Sequence, residues 1–183
     1  LIATEGLGIA EAITTDAKVI PTLTSRHLVE GDDVAEAFRR TVACLEGSVA
    51  IASSTAVSDG ALHLALRGSG QALYVGLADD AYIVASEPYG VVEETSRYLR
   101  MDGETPGNPD NPNASRGQII TLDPSVAGTI EGIARAAYDG TPLPVAEDEV
   151  SVAQITTRDI DRGDAPHYLL KEISESPASF RKT

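Results

Sequence analysis

Apolar residues follow a helical spacing early in the chain and alternate with polar residues in the stretch that follows. Four of them recur every three or four positions: Val34, Phe38, Val42 and Leu45. Because Asp33 can cap the first turn and Gly47 can end the last, this repeat predicts an amphipathic helix between them. An earlier helix is predicted after Thr14-Thr15-Asp16 and runs to about Glu30, with Pro21 either delaying its start or kinking it.

From residue 49 onward, short apolar runs predict strands. They lie at 49–53, 62–66, 72–76, 81–85, 98–101 and 118–122. Asp59-Gly60 and Asp79-Asp80 predict two of the connecting turns. After residue 122 the pattern fits either a helix starting at Asp123-Pro124 or a strand pair turning at Asp139-Gly140. Hairpins beside two helices, with no alternation of parallel strands and helices, predict an α+β fold with an antiparallel sheet layered on helices.

Composition and charge narrow the class of protein. The 183 residues are enough for one domain of ordinary size. A net charge of −14 disfavours nucleic-acid and anionic membrane partners, because both would repel the chain. With one cysteine no intrachain disulfide is possible, which fits a reducing, cytoplasmic location. No apolar run approaches the ~20 residues that cross a bilayer.

Few residues suggest chemistry on their own. Cys44 lies within the apolar helical repeat and is predicted to be a small buried residue rather than a nucleophile. The histidines are too far apart to predict a metal site: His27, which we expect at the surface, His63 and His167. The glycine-rich run 67–70 is predicted to be a hairpin turn, since no helix or lysine follows it. The residues alone therefore predict no catalytic group, metal or cofactor.

The tail of the chain carries a resemblance to a known family. Residues 167–177 read His-Tyr-Leu-Leu-Lys-Glu-Ile-Ser-Glu-Ser-Pro. This run resembles the signature His-Tyr-x-x-Lys-Glu-Ile-x-Glu-x-Pro, which joins the glutaminase and sugar-isomerase domains of glutamine–fructose-6-phosphate aminotransferases. Segments 14–20, 45–48, 66–76 and 82–87 are similar to glutaminase-domain segments of the same family, and they occur in the same order.

The resemblance implies the N-terminal-nucleophile hydrolase fold, an αββα sandwich of two antiparallel sheets between helices. Residues 1–158 would be the later part of a type II glutamine amidotransferase domain, in which 104–158 match poorly and look like an insertion or a divergent segment. Residues 159–183 would be the linker toward a sugar-isomerase domain, with three signature residues: His167, Lys171 and Glu172. Because the chain starts at Leu1, we expect this domain to be incomplete at its N-terminus.

The resemblance also implies an activity. Enzymes of this family hydrolyse glutamine and pass the ammonia to fructose 6-phosphate, which yields glucosamine 6-phosphate without a cofactor. The counterpart of Asp16 holds the α-amino group of glutamine, so Asp16 and the adjacent Thr15 are the expected substrate-binding residues. The nucleophile of the family is an N-terminal cysteine that 1–183 do not contain, and we expect this chain alone to be inactive and the parent enzyme to be a homodimer.

Other interpretations of the sequence remain open at this stage. The chain could be a non-catalytic scaffold or binding domain derived from the same fold. It could also belong to a glutaminase of another pathway, although such an enzyme would lack the Lys171-Glu172-Ile173 tail. Asp16 could act only as a helix cap, because aspartate is a favoured capping residue.

Overall fold

The computed structural model describes residues 6–10, 12–68, 70–104, 116–154 and 162–181. The helices are α1 (Val19–Glu30), α2 (Val34–Ala43) and α3 (Tyr168–Phe180). The strands are β1 (Val49–Thr55), β2 (Ser58–Arg67), β3 (Tyr74–Leu77), β4 (Tyr82–Ala85), β5 (Arg97–Arg100), β6 (Gln118–Leu122), β7 (Ile133–Ala136) and β8 (Ser151–Val152). Short 3-10 turns occupy Asp16–Lys18, Pro88–Gly90, Pro124–Val126, Ile130–Gly132 and Glu147–Glu149.

The two predicted helices form where their end signals place them. The Asp33 side chain accepts a hydrogen bond from the Glu36 N–H at 2.9 Å and so caps α2. Gly31, at a φ of 107°, ends α1 in the left-handed conformation that glycine adopts without strain. Since α1 begins at Val19, the alternative of a delayed start is correct. Pro21 therefore falls in the first turn, where its missing N–H has no helical partner to lose.

Two predictions of burial near these helices are wrong. Cys44 is exposed because α2 ends at Ala43, which leaves the thiol beyond the last buried turn of the helix. His27 is buried rather than at the surface, since it shares the inward face of α1 with Leu23, four residues earlier. The His27 ring stays partly satisfied, with Nδ1 3.1 Å from a Glu30 carboxylate oxygen.

The strands form two antiparallel sheets, which confirms the α+β class. The first sheet has the order β1-β2-β6-β7, and the second has the order β4-β3-β5-β8. The turn between β1 and β2 falls at residues 56–57 rather than at Asp59-Gly60, which lie inside β2. Gly60 has a φ of 73° and lies where the register between β1 and β2 shifts. It also packs against Pro124. The positive φ therefore belongs to an irregular stretch of β2 rather than to the turn.

One hydrophobic core lies between the two sheets and a smaller one lies beneath α2. Leu64 and Leu66 of β2 point toward the second sheet and are buried against residues such as Val75 and Leu99. The intervening Ala65 points the other way, because side chains alternate along a strand. Four further residues complete the smaller cluster on that side: Phe38 and Val42 of α2, with Ile119 and Tyr138. Helix α2 therefore packs on the first sheet, as expected for a layered sandwich.

The outer face of the second sheet is covered differently. Val91, which follows the 3-10 turn Pro88–Gly90, is fully buried. A Cβ at Gly76 of β3 would lie 2.9 Å from Thr95 Cγ2 and 3.1 Å from Val91 Cβ, so residues 88–95 pack directly on this strand. In the described part of the chain this layer is made of turns, where an αββα sandwich has helices. The N-terminal-nucleophile hydrolase fold remains a prediction.

The segment 104–158 takes part in both sheets. It supplies β6 and β7 to the first sheet and β8 to the second, while 105–115 and 155–161 lie outside the described residues. Its pattern after residue 122 resolves in favour of strands: β7 continues to a bridge between Ala136 and Pro142 around the turn at Asp139-Gly140. That this segment is an insertion relative to the family remains a prediction.

His63 is expected to make stability depend on pH. Its ring is buried under α2, with Nδ1 3.0 Å from Thr121 Oγ1, and burial lowers its pKa, although Asp33 opposes the shift. The unfolded chain therefore binds the proton more readily. Stability should be full above about pH 6.5 and should fall as pH drops from there toward the folded pKa. Urea unfolding midpoints between about pH 8 and about pH 5 measure this.

Two histidine variants test whether His63 causes this pH dependence of stability. His63→Gln should flatten the pH dependence between about pH 6.5 and about pH 5, because no proton remains to bind there. His167→Gln, which changes an exposed ring, should keep the wild-type profile. If the two variants share one profile, His63 is not the group responsible.

Candidate functional site

The predicted substrate residues lie where the chain enters α1. Asp16 opens the 3-10 turn that precedes the helix, and Thr15 is the extended residue before it. Both side chains are exposed. The Asp16 carboxylate accepts a hydrogen bond from the N–H of Ala17 at 2.9 Å. The acidic group thus sits at the positive end of the helix, where the backbone dipole stabilises it.

Asp16 lines a groove of about 510 Å³, called here the Asp16 groove. The start of α1 forms one wall, and the junction from α2 into β1 forms the other. Its polar lining residues are Asp16, Glu46, Ser48 and Gln71. Two carboxylates lie in this lining, which contains no lysine or arginine among the described residues. Such a groove favours an ammonium group, with the hydroxyl and the amide available for further hydrogen bonds.

A second groove of about 400 Å³ adjoins the first, and both are lined by Gln71. Gly68, Gly70 and Gln71 form one wall, and 100–104 form the other. Arg100 is the basic residue of the lining, and Asp102 and Glu104 are the acidic ones. A cationic side chain, Arg100, therefore lies in the groove next to the Asp16 groove. A ligand that carries both a positive and a negative charge could contact the Asp16 groove with one and Arg100 with the other.

Three backbone segments cross closely at this place. The N–H of Gly68 donates to the carbonyl of Gly103 at 2.8 Å. A Cβ at Gly68 would lie 2.4 Å from Ser48 Oγ, and one at Gly103 would lie 2.6 Å from the Gly68 oxygen. Glycine is therefore required at both positions for the loop to approach β1 and β5. The crossing holds Ser48 against the loop that carries Gln71.

The glycine-rich loop has a different role from the predicted one. Residues 67–70 do not join two strands of one hairpin, because β2 and β3 belong to different sheets. The loop instead carries the chain from the first sheet to the second. Arg67 supports it, since its Nη1 donates to the Leu45 carbonyl at 3.0 Å and its guanidinium lies 5.4 Å from the ring centre of Tyr138.

The remaining predicted residues lie elsewhere. Thr15 lines a neighbouring groove beside β1 rather than the Asp16 groove. His167 directly precedes α3, and its carbonyl accepts the Lys171 N–H at 3.4 Å. Lys171 Nζ lies 3.9 Å from a Glu175 oxygen, and Glu172 is exposed on the same helix. None of these three α3-region residues lines either groove.

Sequence reasoning missed Glu46, Ser48 and Gln71 as groove residues. A signal was present, because 45–48 and 66–76 both resemble family segments. Only their meeting in space makes the two segments one site. Gln71, for example, directly follows the run 67–70, which the sequence predicts to be a hairpin turn.

The residues that the structure describes form neither a metal-binding cluster nor a membrane-spanning helix. Over the described ranges, no three His, Cys, Asp or Glu side chains are grouped so that they could hold a metal ion. The exposed Cys44 thiol donates to the Arg40 carbonyl at 3.3 Å and is not a lining residue of the Asp16 groove. None of the helices described here has the length and apolar character needed to cross a membrane.

Comparison with known proteins identifies relatives. No family model matches the chain. Its curated relatives are aminotransferases that use glutamine. Each is named glutamine–fructose-6-phosphate aminotransferase (isomerizing), with 32% identity in Bacillus spizizenii, 31% in Bacillus subtilis and 30% in Geobacillus kaustophilus. This similarity confirms the resemblance inferred from the sequence motifs.

The similarity covers most of this chain but only a part of each relative. The matches to these three relatives cover 92% of this chain but 24% of each relative. The chain therefore spans about a quarter of the length of the curated relatives it matches.

Proposed function

We propose that this chain is the later part of the glutaminase domain of a glutamine–fructose-6-phosphate aminotransferase. In this proposal, residues 1–158 belong to the domain that binds glutamine and releases ammonia, and 159–183 lead toward a sugar-isomerase domain that makes glucosamine 6-phosphate. Support comes from the similarity to such enzymes along 92% of the chain. The parent enzyme would act as a homodimer in the cytoplasm.

The observation that carries the proposal is the acidic groove at the start of α1. Asp16 lies there with Glu46, Ser48 and Gln71 around a space of about 510 Å³. The α-ammonium of glutamine would pair with the Asp16 carboxylate through a charge-assisted hydrogen bond. Thr15, the residue before Asp16, lines the neighbouring groove and would fix the backbone that presents Asp16.

The chain's own part in the reaction would be to bind and orient the amino acid. Cleavage of the side-chain amide would belong to an N-terminal cysteine, which 1–183 do not contain. Cys44 would not replace it, because its thiol lies outside the groove and donates to the Arg40 carbonyl. The chain alone should therefore release no glutamate from glutamine above background.

Asp16→Asn in the full-length enzyme tests the assignment. Loss of a hydrogen bond to a charged group costs about 1.5–3 kcal/mol, so the KM for glutamine should rise at least about tenfold. The rate with ammonia as nitrogen donor should not change, because ammonia bypasses the glutamine groove. Steady-state kinetics with each donor measure both values on the same preparation.

Asp80→Asn is the matched control, since it makes the same charge change in the exposed turn between β3 and β4. It should leave the KM for both donors unchanged. Asparagine caps helices as well as aspartate does, so a pure capping role predicts unchanged glutamine kinetics in Asp16→Asn as well. That result would remove Asp16 from the substrate site.

A further inference from the structure

Arg67 is attached to both segments that bring lining residues to the Asp16 groove. Along the backbone it is the last residue of β2, and the loop that carries Gln71 follows it. Through its side chain it reaches the other segment, because Nη1 donates to the Leu45 carbonyl at 3.0 Å. Glu46 and Ser48, which follow Leu45 in the chain, line the groove. One residue therefore connects two segments that are 22 positions apart.

The backbone of Arg67 is held on several sides. Arg67 pairs with Val49, the first residue of β1. A Cβ at Gly117 would lie 2.9 Å from Arg67 Cα, so the chain that enters β6 packs directly against it. The next residue, Gly68, donates its N–H to the Gly103 carbonyl at 2.8 Å. Because the backbone is fixed, less conformational entropy is lost when the guanidinium takes up one position.

The guanidinium of Arg67 is also placed by an aromatic ring. It lies 5.4 Å from the ring centre of Tyr138, which has 4% of its surface exposed. Among the described residues the Tyr138 hydroxyl has no hydrogen-bond partner, so packing rather than a polar contact fixes the ring. The ring and the Leu45 carbonyl together orient one planar group, which the point charge of a lysine would not reproduce.

The positive charge of Arg67 lies close to the C-terminal end of α2. Leu45 is two residues beyond Ala43, the last residue of this helix. The carbonyl end of a helix carries partial negative charge, which a nearby cation stabilises. The contact between Arg67 and Leu45 therefore holds the end of α2 and the junction after it in one position relative to β2.

We propose that Arg67 is a positioning residue for glutamine binding. Its guanidinium, held between Leu45 and Tyr138, keeps the junction 46–48 at the wall of the Asp16 groove. This role rests on the proposed function, because it takes the groove as the glutamine site. Arg67 does not line the groove and acts only through residues that do. Without the guanidinium, the exposed junction would sample more conformations, and glutamine would have to order it on binding.

Arg67→Met in the full-length enzyme tests this role, because methionine keeps an unbranched side chain without a charge or an N–H donor. The KM for glutamine should rise about fivefold to tenfold, since ordering the junction reduces the affinity. The kcat with glutamine and the rate with ammonia should stay within about twofold of wild type, because only binding changes. Arg67→Lys, which keeps a charged donor without the planar group, should give an intermediate KM. Hydrogen exchange in peptides that cover 41–49 should be faster in Arg67→Met.

Arg39→Met is the matched control for a loss of stability alone. Arg39 also connects α2 with Tyr138, since its Nη1 donates to the Tyr138 carbonyl at 2.7 Å. It lines a different groove, beside β6 and β7. Arg39→Met should therefore lower the thermal unfolding temperature but keep the wild-type KM for glutamine. A purely structural role for Arg67 predicts that Arg39→Met and Arg67→Met behave alike.

Unchanged hydrogen exchange at 41–49 in Arg67→Met would overturn the positioning role without reference to kinetics. A raised KM in Asp16→Asn with an unchanged KM in Arg67→Met would also overturn it, because the groove would then bind glutamine without this support. Equal rises in KM in Arg67→Met and Arg39→Met would reduce Arg67 to a contribution to stability. Faster exchange with an unchanged KM in both Asp16→Asn and Arg67→Met would instead overturn the glutamine assignment, and with it the part of Arg67 in binding.

Discussion

Phe38→Ala should lower the free energy of unfolding by about 3–5 kcal/mol, because it removes a buried aromatic ring and leaves a cavity. Phe38 is 1% exposed and packs with Val42, Ala65, Ile119 and Tyr138 between α2 and the first sheet. The sheet strands are fixed by their hydrogen bonds, so the surroundings can collapse only partly into the space. Urea denaturation followed by circular dichroism measures the loss.

The chain supplies its own control for this substitution. Its only other phenylalanine, Phe180, ends α3 with 83% of its surface exposed. Phe180→Ala should change the free energy of unfolding by no more than about 0.5 kcal/mol, as is usual for surface sites. Similar losses in the two variants would mean that Phe38 does not anchor α2 to the sheet.

Gly68→Ala should cost about 2–4 kcal/mol, from a strained backbone and an overlap together. Gly68 has a φ of 83°, which side chains rarely adopt. An added Cβ would also lie 2.4 Å from Ser48 Oγ and 3.0 Å from Ser48 Cα, where backbone must move. Because this loop carries Gln71 to the Asp16 groove, the variant should weaken glutamine binding in the full-length enzyme as well as stability.

Gly70→Ala separates the cost of backbone strain from the cost of overlap with Ser48. Gly70 has a similar φ of 78°, but no atom lies within 4 Å of where its Cβ would be. This variant carries the backbone strain alone and should cost about 1–2 kcal/mol. Thermal unfolding of both variants under one condition gives the difference. Equal costs at the two positions would show that Ser48 moves aside freely and that the crossing does not hold the groove.

Local signals in the sequence predict most of the secondary structure. The capping side chain of Asp33 and the spacing of Phe38 and Val42 are enough to define α2, and alternation finds the strands. Errors arise where a distant contact decides. Gly60 serves an irregular stretch of β2 packed on Pro124 rather than a turn. No window of local sequence around Gly60 contains that partner.

The residues of the candidate site also differ in how far the sequence predicts them. Asp16 could be proposed from the sequence, because the motif around it resembles that of a family with a known role at this position. Glu46 and Gln71 could not be assigned to one site from the sequence, because they belong to two segments that meet only in space, where Gly68 crosses Ser48. Close packing of three segments far apart in the chain leaves no periodic trace in the sequence.

The pairing order of the strands has a consequence for folding. β2 receives its second neighbour only from β6, with Leu62 opposite Leu122, and β5 receives its second neighbour from β8, with Tyr98 opposite Ser151. Contacts between residues so distant in sequence must await the closure of long loops, which slows folding. On the ribosome, a chain synthesised only as far as β5 would hold α1, α2 and the start of both sheets but complete neither sheet. The first sheet cannot be finished before residue 136 has emerged, and the second cannot be finished before residue 152.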